Sequence, residues 1–332
     1  MPTNRNHAVA ALATAGVAWG ASVPLSKIAL GWLGPGWLTT ARFGLAALVL
    51  LAFVPREKLR AAFSWRVLGW GAFGYGGSVL VQNAGLARTS VTHTALIIGA
   101  GPVLVALIAA LWQHAVARPV AWAGFALSLA GVGFVTGGHG GGATGVGDGL
   151  VLAATLLAAA MTVAQGSLLA GRDPVAVTAI QFAGATALTL PFALVTAGGP
   201  AAPTRLAPVL AVLALTVGGT VAPFTLFAYG QQHVSAELAG GFLNLEPLVG
   251  AVAGVVFFAN PAGPRQLAGG AAIVAGIALS SLPLLRDRRR RARAGGTGLT
   301  AAYAPLLPGV EEALNSRFFS SMGPRKSPAT LA

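Results

Sequence analysis

The sequence predicts an all-α polytopic membrane protein, with ten transmembrane helices arranged as two inverted five-helix repeats. Three observations carry this expectation. Charged side chains make up 9% of the 332 residues against 55% hydrophobic ones, and the mean hydropathy is +0.74, whereas soluble domains run near a quarter charged. Long apolar stretches alternate with short polar ones, as in helices that cross a bilayer. The chain also repeats itself. QNAGLARTSVTHTALIIGAGP (82–102) and FAYGQQHVSAELAGGFLNLEP (227–247) align without a gap, so Gly85 falls on Gly230, Ser90 on Ser235 and Pro102 on Pro247. The same offset carries Gly124 onto Gly269 and Gly131 onto Gly276.

A span needs about 20 apolar residues. Stretches of that length run over 8–30, 35–54, 67–87, 92–112, 119–137, 149–170, 174–197, 207–230, 236–258 and 264–284. The first follows Arg5 and outruns a signal-peptide core, so it is read as a retained span that opens the first repeat. Gly, Pro and Arg mark most joints. Asp173-Pro174 is a helix start, with an acid at the cap and proline in the first turn. Asp148 is suited to cap the sixth helix in the same way.

Loop charge sets the orientation. With the N-terminus inside, the inner segments hold thirteen Lys and Arg residues: Arg5, Arg56, Lys58, Arg60, Arg66, Arg118, Arg172 and the six of Arg286–Arg293. The outer segments hold four: Lys27, Arg88, Arg205 and Arg265. Both termini are therefore expected in the cytoplasm. Five is an odd number, so the second copy runs through the membrane opposite to the first, an arrangement that puts a substrate site near the midplane between the copies. The expected organisation is a first repeat over 1–137, a glycine-rich linker over 138–147, a second repeat over 148–285 and a basic tail over 286–332.

Several function classes are excluded. The +13 net charge lies at the ends of apolar segments without interleaved aromatics, so nucleic acid is not an expected partner. No cysteine is present, which removes disulfides, thiolate metal ligands and Cys nucleophiles. The linker GGHGGGATGVG lacks the Gly-Lys-Ser/Thr that a phosphate cradle needs. Paired carboxylates, HExxH and GxSxG are likewise missing, so neither enzymatic activity nor a cofactor or metal is expected. The Arg286–Arg293 cluster is a topology anchor or a contact for anionic lipid.

Polar stripes mark the helices that face a cavity or one another. Trp19, Ser22 and Ser26 share a face of the first helix, and Tyr75, Ser78 and Gln82 one of the third. Thr178, Gln181 and Thr189 line up on the seventh, and Thr225, Tyr229 and Gln232 on the eighth. Small polar residues also serve helix packing, but the recurrence on the third and eighth helices favours a shared central cavity. Arg42 lies in the middle of the second span, where a guanidinium can meet a substrate carboxylate or pair with carbonyls. Glu246 precedes Pro247 inside the ninth span and can titrate, or donate to a carbonyl that the proline frees. His93 and Glu237 stand at helix mouths, as a polar end residue and a capping acid.

Two five-helix copies, the Trp19-Gly20 pair and Arg42 together resemble the EamA branch of the drug/metabolite transporter superfamily. So do the AGLARTSVTHTALIIGAGP joint and the LEPLVGAVAGVVFF run, and the resemblance covers residues 8–284. Family members commonly carry a Gly-Glu or similar acid just after the fourth and ninth helices, where this chain has Gln113-His114 and Ala259-Asn260. The resemblance implies a multi-pass carrier of the plasma or inner membrane, often an exporter of amino acids or other small metabolites. The expected mechanism is alternating access between the two halves, with Pro102 and Pro247 as hinges. Trp19, Arg42, Tyr75, Gln82, Tyr229 and Gln232 are the substrate-binding candidates, and Glu246 is the proton-coupling candidate. A drug efflux carrier, a channel, and a lipid-carrier flippase or accessory protein are the alternatives.

Overall fold

A computed structural model of the chain describes residues 2–112, 119–136, 144–233, 242, 245–259 and 263–293; the side chains of Pro102 and Gln232 and those from 280 onward lie outside the description. Glu237, residues 137–143 of the linker region and the tail beyond Arg293 also lie outside it. Two compact units divide the chain, Met1–Pro283 and Leu284–Ala332, and the candidate membrane spans all belong to the first.

Helix is the only regular structure among the described residues. The first half contains α1 (Pro2–Ala29), α2 (Pro35–Phe53), α3 (Arg56–Ala62) and α4 (Trp65–Trp70), followed by a π-helical turn at Gly71–Gly77. It continues with α5 (Ser78–Leu86), α6 (Val91–Ile98), α7 (Gly101–Trp112) and α8 (Pro119–Thr136). The second half contains α9 (Gly145–Leu169), α10 (Pro174–Ala197) and α11 (Leu206–Thr216), followed by a π-helical turn at Val217–Val221. After it come α12 (Ala222–His233), α13 (Leu245–Phe258) and α14 (Pro264–Arg293). Among the described residues six helical stretches are long and apolar enough to cross a bilayer: His7–Ala29, Pro35–Phe53, Val91–Ala109, Gly145–Leu169, Pro174–Ala197 and Leu206–Phe227. Trp122–Gly131 and Leu245–Phe258 are shorter apolar helices.

Local chemistry sets the helix ends. Ser90 accepts from the His93 N–H, Ser64 from Val67 and Thr144 from Gly147. Asp173 accepts from Val175 and Ala176, with Pro174 next to it, as its sequence indicates. Asp148 does not cap α9. Thr144 does, four residues earlier, and Asp148 is left in the first turn with its side chain turned into the protein. The α6–α7 stretch is broken at Gly99-Ala100: Val103 and Leu104 both donate to the Ala100 carbonyl, and Pro102 has no N–H to continue the ladder.

Residues separated by 145 positions make matched contacts. A Cβ on Gly131 would lie 2.7 Å from the Gly269 carbonyl, and one on Gly276 would lie 2.5 Å from the Gly124 carbonyl. Ser128 donates to the Ile273 carbonyl, its own counterpart, at 3.1 Å. The two π turns obey the same offset, the second falling within the span of the first. A π turn carries one extra residue and leaves its carbonyls poorly bonded. Hydroxyls compensate: Ser78 donates to Gly74, and Thr220 to Leu215 five residues back at 2.9 Å. Gly71, Gly74 and Gly76 let the first turn lie directly on Gln181, Met161 and Ala185.

The short helix α3 is tied to the start of α10 by a 2.8 Å ion pair between Lys58 and Asp173. Partial burial pushes the Asp173 carboxyl up, but the hydrogen bond and charge of Lys58, with the Ala176 and Val175 N–H bonds, hold it below its ordinary value of 3.8. Its stabilising effect is therefore complete above the unfolded-state value and lost as pH falls through the folded one. Asp173→Ala is expected to cost about 1 kcal/mol through the lost cap, and Lys58→Ala no more than about 0.2–1 kcal/mol because the pair is exposed. Thermal unfolding from pH 7 to 3 checks both, and the wild type should converge on Asp173→Ala at the acid end.

Candidate functional site

Six aromatic rings converge where the two halves meet. Trp19 on α1 meets Phe224 and Phe227 on α12, each at 5.2 Å between ring centres. Tyr75, in the first π turn, meets Phe224 at 5.0 Å edge to face, Phe182 at 6.1 Å and Phe43 at 6.5 Å. Phe182 closes the group against Phe43 at 5.3 Å and Phe224 at 5.2 Å. Edge-to-face pairing of this kind is favourable beyond area burial. Phe43 and Phe182 are buried and form a back wall, while Trp19, Tyr75, Phe224 and Phe227 each keep part of their surface open. The first half supplies Trp19, Phe43 and Tyr75, and the second half supplies the other three.

Arg42 stands beside this cage. Its Nε donates to Thr220 Oγ1 at 2.5 Å and its Nη2 to the Gly219 carbonyl at 2.6 Å, both in the second π turn, and its guanidinium carbon lies 5.8 Å from the centre of the Phe43 ring. The wide turn presents the acceptors that an α-helix would have used internally, so the side chain of α2 is pinned by the irregularity of its neighbour. Glu246, on α13, lies close enough to Arg42 for their charges to influence each other. Glu246 precedes Pro247 in the described part of α13.

Gly16 and Gly20 bring α13 into place. A Cβ on Gly16 would come within 2.4 Å of the Phe242 carbonyl, and one on Gly20 within 2.5 Å of Val249 Cβ and 2.7 Å of the Glu246 carbonyl. This four-residue spacing of glycines is the close-packing pattern of membrane helices. It explains the Trp19-Gly20 pair: one residue enters the cage and the other admits α13.

Trp19, Arg42, Tyr75 and Glu246 are thus gathered on neighbouring elements. Gln82 is half-buried on α5, two turns beyond Tyr75, and Tyr229 on α12 is 38% exposed. The Gln232 side chain lies outside the described residues. Phe43, Phe182, Phe224 and Phe227 escaped the sequence reading because ordinary core residues look the same; the adjacency of Phe43 to Arg42 and the Phe224/Phe227 spacing were the available signals. His93, read as a polar helix end, is buried against Asp148 at 3.0 Å. No group of three or more His, Asp or Glu suited to a metal occurs among the described residues. Chemically, aromatic faces take apolar or cationic groups, a guanidinium takes a carboxylate, and a carboxyl takes an amine or a proton.

Comparison with known proteins agrees with this architecture. The model of the EamA-like transporter family matches the chain twice, over residues 7–137 and 145–282. An uncharacterized transporter of Archaeoglobus fulgidus is similar at 35% identity over 68 residues, 20% of this chain and 25% of the relative, so the chain spans about a quarter of that protein's length. A solved crystal structure is similar in fold, with a TM-score of 0.64 and 22% identity over 85% of this chain and 99% of the other.

Proposed function

Because the chain belongs to the EamA-like transporter family, a family of membrane transporters, we propose that it is a secondary carrier that exports small metabolites such as amino acids. In this reading ten helices, five in each inverted half, rock about the aromatic cage and open it alternately to each side of a plasma or inner membrane. Both termini are cytoplasmic, as the loop charges favour, and Arg286–Arg293 meets anionic headgroups. The observation that carries the reading is the cage itself, built from both halves beside Arg42 and Glu246. Pro102, at the α6–α7 break, and Pro247 in α13 supply the hinges. Glu246 carries the coupling proton.

The test is transport in proteoliposomes, with pooled amino acids, nucleosides and cationic drugs, with and without a pH gradient. Saturable uptake is expected for the wild type. Trp19→Ala should lose it, and Glu246→Gln should lose the response to the gradient while keeping exchange of substrate. Glu246→Gln transport with an unchanged gradient response would end the coupling role. Uptake of the drug pool alone would mark a drug carrier. No uptake from any pool by folded protein would point to a lipid substrate or an accessory role.

A further inference from the structure

Three span ends meet at the short helix α3. It follows the span Pro35–Phe53 directly, and its Lys58 pairs with Asp173 at the start of the span Pro174–Ala197. Its Ala62 shares a buried cluster with Leu168, at the end of the span Gly145–Leu169. The helix therefore lies at a membrane surface. Leu59 and Ala62 form its inner face, packed with Val54, Val67, Ala176 and Val177. Arg56 and Arg60, one turn apart, are exposed. The chain then passes through Ser64, whose backbone is extended, and the rings on either side of it, Phe63 and Trp65, pack edge to face at 5.5 Å. Trp65 is 76% exposed and Phe53, at the end of α2, 83%. Aromatic rings open at this level are those that sit among lipid headgroups. Arg66, also exposed, follows Trp65.

The basic residues of this corner are not equivalent. Lys58 is taken by Asp173, and Arg172 donates to the Leu168 carbonyl at 3.0 Å. Arg56, Arg60 and Arg66 make no hydrogen bond or ion pair among the described residues, and neighbouring Glu57 pairs with none of them. Like charges at the spacing of Arg56 and Arg60 repel on a helix, and nothing in the protein offsets the repulsion. At the opposite surface the pattern differs. Lys27 donates to the Leu86 and Thr89 carbonyls and Arg88 to Ala84, so those charges are held against the protein rather than offered to the membrane.

We propose that Arg56, Arg60 and Arg66, with Phe63 and Trp65, bind an anionic phospholipid, whose phosphodiester lies among the guanidiniums while its acyl chains run past the exposed rings. A guanidinium presents paired donors that match phosphate oxygens. A zwitterionic headgroup carries its own ammonium, which the three arginines repel. Because α3 packs on α9 and α10 and continues from α2, a lipid held there is held against span ends of both halves. The site needs only a chain that crosses a membrane, holds whether or not the protein transports, and is distinct from the Arg286–Arg293 run.

The chain has no cysteine, so Ala61→Cys, exposed on α3, carries a single environment-sensitive dye beside the arginines. The full chain in neutral detergent is titrated with short-chain phosphatidylglycerol, with phosphatidylcholine of the same chain length, and with glycerol phosphate. Each basic residue near an anionic headgroup strengthens binding about fivefold. Phosphatidylglycerol should therefore saturate the signal at a concentration about a hundredfold below phosphatidylcholine. Glutamine at all three arginines should erase that preference, and Arg60→Gln alone should raise the half-saturating concentration about fivefold. Glutamine at the six arginines of Arg286–Arg293 should leave the curve where it is. Equal response to the two lipids, or a preference lost with the tail arginines and kept without Arg56, Arg60 and Arg66, overturns the proposal. Glycerol phosphate saturating as readily as the lipid would mark a soluble-anion site and overturn it too. Should the triple variant fail to fold, Arg60→Gln decides alone: an unchanged half-saturation sinks the site.

Discussion

Arg42→Ala is expected to abolish transport and to destabilise the folded protein by about 3 kcal/mol or more. Two charge-assisted hydrogen bonds are lost, each typically worth about 1.5–3 kcal/mol, together with the face of Phe43. The Gly219 carbonyl and Thr220 hydroxyl lose their partner where no solvent replaces it. In populations this exceeds a hundredfold. Arg42→Lys should recover only part of the loss, since an ammonium is a point charge and cannot reproduce the planar fork that reaches Thr220 and Gly219 together. Thermal unfolding in detergent and substrate exchange in liposomes separate the two effects. If Arg42→Ala melts like the wild type, the pinning of the second π turn is refuted, and any transport loss belongs to substrate contact alone.

The second large effect is steric. A Cβ on Gly71 would lie 2.3 Å from both the Cα and the carbonyl oxygen of Gln181, and one on Gly184 would lie 2.2 Å from the Leu68 carbonyl oxygen. Backbone opposes backbone at both places, so no rotamer relieves the overlap and the helices must separate. Overpacking costs about 1–3 kcal/mol where side chains yield, and more where they cannot. Gly71→Leu and Gly184→Leu are expected to yield no monodisperse protein by size-exclusion chromatography in detergent. Gly69→Ala and Gly149→Ala, with nothing within 4 Å of the added atom, should elute and melt as the wild type does. A monodisperse Gly71→Leu would mean that the α10 contact with the first π turn is dispensable.

Much of this arrangement is visible in the sequence. Apolar length is read directly as helix, and the glycines aligned at 145 positions, Gly131 with Gly276 and Gly124 with Gly269, are the residues that touch in matched pairs. The Asp173 cap is local chemistry and needs no tertiary information. The rest depends on contacts distant in sequence. Asp148 meets His93 and Thr89 across 55 and 59 positions, and nothing near it distinguishes a capping acid from a buried one. The π turns are silent because one extra residue shifts the phase of a helix without altering its hydropathy. Phe182 is apolar wherever it points, so only the packing of α10 against α2 and the first π turn reveals it as a wall of the cage.

The coincidence of the π turns also bears on descent. GAFGYGG and VGGTV share little beyond glycine, yet they occupy the same place in two segments that match one family model. An extra residue gained once, in an ancestral half-length chain, accounts for both; two separate gains at one position would be a coincidence. Tyr75 and Thr220 stand at corresponding positions, one now a ring of the cage and the other the acceptor for Arg42. One wide turn thus does two jobs in one protein, presenting a ring to the cage in the first half and an acceptor for Arg42 in the second.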